Sequence, residues 1–99
     1  MELIFEWSAD KARINLNKHK VSFEEAKTVF NDPLLLTFFD GYHSEVEERY
    51  ISIGCSVRGR TLLVVHTEHT ATATSLIIRI ISCRKVTPSE RKTYEESKD

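Results

Sequence analysis

Cysteine, proline and glycine are all scarce in this chain: two, two and three of 99 residues. Two cysteines cannot make a disulfide scaffold of the kind that holds small secreted domains together. Cys55 and Cys83 each lie in an apolar, strand-like context, where a free thiol acts as a small core residue. Neither a CxxC nor an HExxH pattern is present, so the sequence offers no metal site and no cofactor is expected. No apolar run approaches the roughly 20 residues of a membrane-spanning helix, which argues against a membrane partner. The acidic start, Met1 to Glu6, does not read as a signal peptide, and the cytoplasm is the expected location. Repeats and linkers are missing too. Residues 1–99 read as one domain with a single modest core, and 40% hydrophobic with 29% charged residues is an ordinary soluble composition.

A further scarcity is local. Residues 49–85 hold one acid, Glu68, against six bases: Arg49, Arg58, Arg60, Arg79, Arg84 and Lys85. The net charge of −1 hides this, because residues 1–48 carry ten Asp/Glu and only five Lys/Arg. Arginine binds phosphate through planar, bidentate contacts. A basic stretch on a nearly neutral protein therefore points to one anion-binding face. The competing reading is that arginines on strands guard sheet edges against aggregation.

Along the chain, Leu3 to Phe5 reads as a short first strand. Ser8 caps a helix whose Ala12, Asn15, Leu16 and His19 share a face. Lys18, His19 and Lys20 end it, where cations complement the helix dipole. Ser22 and Glu25 form a capping box for a second helix, which stops before Pro33. Leu34 to Phe39 reads as a strand. A polar connection over 40–48 leads to Arg49–Cys55, the turn Ser56–Gly59, a strand from Arg60 to Thr67, a Thr-rich flexible loop from Glu68 to Ser75, and a strand from Leu76 to Arg84. Thr87 and Glu90 box the start of a last polar helix, with Pro88 in its first turn. The order β-α-α-β-β-β-β-α predicts an α+β fold: about five mostly antiparallel strands with helices packed on one face.

His66 and Glu68 end one apolar strand, while Arg79 and Arg84 flank the end of the next. RNA can be cleaved by its own 2′-hydroxyl, given groups that align the phosphate, move protons and stabilise negative charge. Such chemistry would use His66, Glu68 and Arg79 as catalytic groups. Arg49, Arg58, Arg60 and Arg84 would contact the phosphates of the substrate. Strand alternation restricts this picture. Arg79 and Arg84 are five residues apart and face opposite sides unless a bulge intervenes. Each residue also has a plain reading: Glu68 as a cross-strand partner of Arg79, His19 as a helix-end cation.

The segments Phe5–His19, Val21–Ala26, Val29-Phe30, Glu48–Tyr50, Leu63–Glu68 and Arg79–Lys85 resemble, in order, the BrnT toxins of type II toxin–antitoxin pairs. The resemblance runs from about Phe5 to Glu96. It implies a RelE-like fold and a metal-independent endoribonuclease that arrests translation. It also implies a BrnA-like antitoxin that binds the toxin and carries it to promoter DNA. The matched polar positions are Lys18, His19, Arg49, His66, Glu68, Arg79, Ser82 and Arg84, so the resemblance implies Lys18, His19 and Ser82 as further substrate contacts; Trp7 and Asn15 match as fold positions. The chain departs at Lys20, where the family usually has glycine, and in a longer 69–75 segment. The alternative to an enzyme is a non-catalytic RNA- or partner-binding module acting in operon autoregulation.

Overall fold

The computed structural model describes residues 1–43 and 47–97. Its strands are β1 (Glu2–Glu6), β2 (Leu36–Asp40), β3 (Arg49–Cys55), β4 (Thr61–Thr72) and β5 (Ser75–Lys85). Its helices are α1 (Ala9–His19), α2 (Phe23–Lys27) and α3 (Pro88–Glu96), with a 3₁₀ turn over Thr28–Asn31 and another over Gly41–His43. The sheet order is β1-β5-β4-β3-β2. Only β1 and β5 are parallel; the other pairs are antiparallel. This is the α+β architecture expected. Of the polar connection expected over 40–48, residues 44–46 lie outside the described residues.

The core lies between α1, α2 and one face of the sheet. Val21, Phe23, Ala26 and Val29 pack there on Leu62, Val64, Ile78, Ile80 and Cys83. Burial of these branched and aromatic side chains supplies most of the driving force. A smaller cluster of Ile53, Leu63 and Tyr94 covers the opposite face. The helices therefore do not all share one face: α3 packs on the second, with Tyr94 donating to Asp32. The caps follow the sequence with one change. Thr87 and Glu90 make a complete capping box. Ser22 accepts from the Glu25 amide at 3.0 Å, but the Glu25 carboxylate turns away to Ser56 and Arg60.

The flexible loop expected from Glu68 to Ser75 is instead a hairpin. β4 continues to Thr72 and β5 restarts at Ser75, leaving a turn at Ala73 and Thr74. Threonine favours the extended backbone, and Thr72 Oγ1 lies 2.7 Å from Ser75 Oγ across the turn. β1 then docks on Ser75–Arg79 and fixes the start of β5.

Two local features decide what the second face displays. The first is a bulge. Val65 pairs with Ser82 but His66 pairs with Ile80, so Ile81 is an extra residue in β5. One extra residue inverts the alternation beyond it. Arg79 and Arg84 consequently lie on the same face. The second is the edge of β5 beyond Arg79, where β1 has ended. There the Asn15 side chain of α1 acts like a neighbouring strand. Its Oδ1 accepts from the Cys83 amide at 3.0 Å, and its Nδ2 donates to the Cys83 and Val21 carbonyls, both at 3.0 Å. This satisfies an otherwise orphaned strand edge. It also pins the end of α1 beside β5, one turn before His19.

Candidate functional site

Pairing fixes which side chains share the second face. Asp40 pairs with Arg49, Ile51 with Val65, Leu63 with Arg84, and Thr67 with Arg79. A groove of about 380 Å³ runs across this face, lined by Asp40, Arg49, Ile51, Leu63, Val65, Ser82, Arg84 and Glu90, with His19 at its margin. A second depression, about 260 Å³, adjoins it between α1 and the bulge. Lys11, Lys18 and His19 line it together with Ile81 and Ser82. His19 and Ser82 belong to both, so a continuous basic path leads from α1 onto the sheet.

Arg84 is held rigidly. Its Nη1 and Nη2 donate to Glu90 Oε1 and Oε2 at 2.8 and 2.9 Å. Those bonds, with the Thr87 amide, pull the Glu90 carboxyl down to about 2. The groove thus holds an ionised carboxylate facing a permanent cation. The predicted contacts Lys18, His19, Arg49, Ser82 and Arg84 come together along this path.

The predicted catalytic trio does not converge. Neither arginine shares a face with His66 or Glu68, which lie on the α1/α2 side. His66 is fully buried, with its ring edge-on to Phe30 at 5.0 Å. Its Nε2 is 2.7 Å from Ser52 Oγ, which is 2.8 Å from Thr37 Oγ1. Burial drives its pKa down to about 4, so it is neutral at pH 7. Glu68, 3.8 Å from His66 Nδ1, is pushed up by the same desolvation. Arg79 reaches the groove's face but donates to Glu6 Oε2 at 2.8 Å. Reading His66, Glu68 and Arg79 as one cluster is therefore corrected: His66 and Glu68 share a face, and the sheet separates both from Arg79.

Arg58 and Arg60 are also elsewhere. The Arg60 Nε donates to Glu25 Oε2 at 2.9 Å, and a second nitrogen bonds Oε1; Arg58 stands 3.5 Å from the same carboxylate. Glu25 is buried, and this pairing holds its pKa below the usual range. The two arginines neutralise a core carboxylate and do not line the groove. Asp40 and Glu90 do line it, and neither was picked out from the sequence as a site residue. A signal for Glu90 was available in its capping-box position six residues after Arg84. Among the described residues, no three His, Cys, Asp or Glu side chains are placed to hold a metal ion.

Residues 7–90 match the model of the family described as "Ribonuclease toxin, BrnT, of type II toxin-antitoxin system". The chain belongs to the BrnT toxin family. The crystal structure of the Brucella abortus ribonuclease toxin BrnT shares its fold, with a TM-score of 0.61 at 17% identity over 88% of this chain and 99% of that one. A search of curated protein sequences returns no match. Lys20, where the sequence resemblance leads to an expectation of glycine, adopts the left-handed conformation itself (φ 60°, ψ 30°), with its amide donating to the Leu16 carbonyl at 2.9 Å.

Proposed function

We propose that the protein is a metal-independent endoribonuclease whose chemistry takes place in the groove of the second sheet face. The observation that carries this is the gathering of Arg49, Arg84, Ser82 and His19 around one concave surface, with lysines of α1 leading into it. A single-stranded RNA lies along this path. Lys11 and Lys18 bind flanking phosphates through long-range attraction. Arg49 and Arg84 hold the scissile phosphate and stabilise charge as it builds. The 2′-hydroxyl loses its proton and its oxygen bonds to phosphorus. The bond to the 5′ oxygen breaks, and that oxygen gains a proton. The products are a 2′,3′-cyclic phosphate and a 5′-hydroxyl. His19, an imidazole that lines the groove, exchanges protons with the reacting oxygens. Glu90, with its carboxyl pulled down to about 2, has no proton to give and is a poor base, so it does not share that work.

His66, with Ser52 and Thr37, serves as framework beneath the sheet. Membership of a type II system supports a partner antitoxin; we assign it BrnA-like, DNA-binding character, so that promoter contact runs through the antitoxin. No described helix is long and apolar enough to cross a membrane, and action in the cytoplasm fits an RNA substrate.

The test is incubation of purified protein with RNA in excess EDTA, with product ends mapped. Cleavage leaving cyclic phosphates is expected. A folded protein that binds RNA but cuts nothing would favour the non-catalytic module, and activity lost in EDTA would remove the metal-independent mechanism.

A further inference from the structure

We propose that Glu90 is a positioning residue for Arg84: it grips the end of the guanidinium and leaves the Nε/Nη2 edge to bind two oxygens of an RNA phosphate. This rests on the groove being the RNA site. A guanidinium has five N–H donors in a rigid plane. In Arg84, three are occupied: one on Nη1 and one on Nη2 by Glu90, and the other on Nη1 by the Lys85 carbonyl at 3.2 Å. The remaining two, on Nε and Nη2, lie side by side along one edge, and such an edge matches two phosphate oxygens.

Glu90 is itself fixed. The Thr87 amide donates to its Oε1 at 2.8 Å, and its own amide donates to Thr87 Oγ1 at 3.2 Å. One carboxylate therefore joins the first turn of α3 to the arginine of β5. Its negative charge lessens the pull of Arg84 on phosphate, so its benefit is orientation, not attraction. An arginine held in one plane presents a single edge to the groove; a free one samples several.

Single-turnover cleavage of a short RNA, with stability measured in parallel, separates these effects. Glu90→Gln removes the charge and one acceptor oxygen. The expected result is a fall in the rate at saturating RNA of about tenfold or more, because misplacement of an aligning group is costly, with KM unchanged or lower. Thr87→Ala removes the hydroxyl that caps the Glu90 amide but keeps the Thr87 amide that holds the Glu90 carboxylate, so it is expected to keep the wild-type rate. Arg84→Lys has no planar edge and should not substitute for arginine. Wild-type rate in Glu90→Gln, or an equal loss in Thr87→Ala, overturns the proposal. If Glu90→Gln fails to fold, the Arg84 Nε–H resonance of the wild type is followed while a non-cleavable 2′-deoxy oligonucleotide is added. A shifted signal supports the proposal, and an unmoved signal with the oligonucleotide bound overturns it. A wild-type protein that cuts no RNA instead sinks the ribonuclease reading beneath it.

Discussion

Replacing Asn15 with alanine tests how the groove is assembled. Asn15 is 5% exposed, and its amide satisfies the Cys83 amide, the Cys83 carbonyl and the Val21 carbonyl. Truncation strands all three in a nearly dry place. Each buried unsatisfied group costs about 1–3 kcal/mol, though a water entering the vacated space recovers part of this. A net loss of about 3 kcal/mol follows, large against the 5–15 kcal/mol by which such domains are stable. The midpoint of thermal unfolding should fall by about 15 °C, at roughly 4–8 °C per kcal/mol for this size. Asn15→Asp should be no better, since it sets a carboxylate against two carbonyls. Urea titration followed by circular dichroism gives the free energies. A loss below about 1 kcal/mol in both variants would refute the role assigned to Asn15 at the β5 edge.

Buried His66 sets an acid limit. Its folded pKa of about 4 lies below the unfolded value of 6.5, so the unfolded state binds its proton first and stability falls as pH drops below 6.5. Between pH 7 and pH 5 the loss from this residue should be about 2 kcal/mol. His66→Gln should abolish that part of the pH dependence, and an unchanged profile in urea titrations at the two pH values would count against it. Arg60→Ala leaves Glu25 buried without its main partner and should cost about 3 kcal/mol. RNA affinity of the folded variant should change little, and a large drop measured by fluorescence anisotropy would return Arg60 to the substrate path.

The elements of this fold were largely legible because their signals are local. Ser8, Ser22 and Thr87 mark helix starts by residue type, and the alternation of Arg49–Cys55 marks a strand. The longer β4–β5 hairpin was not legible, since Thr70 and Thr72 become strand by pairing with Leu76 and Ser75, whose other edge is held by β1. The site depended on Ile81. Nothing in Ile80-Ile81-Ser82 distinguishes a bulged residue from a regular one, yet the bulge alone brings Arg79 and Arg84 to one face. The separation of His66 from both arginines follows from pairing register, which hydrophobic pattern constrains but does not state. Arg58 and Arg60 resembled phosphate contacts because Glu25 lies over thirty residues earlier in the chain, too far for any spacing argument to pair them.

The claim at the centre of this account is that the second face of the sheet, and not the buried His66 face, carries the chemistry. Single-turnover RNA cleavage by His19→Ala and His66→Gln, both confirmed as folded, tests it most directly. His19→Ala should lose about 10²–10⁴ in rate, the usual contribution of a proton-transfer group, while His66→Gln stays near wild type. Loss of cleavage in folded His66→Gln with His19→Ala fully active would contradict it.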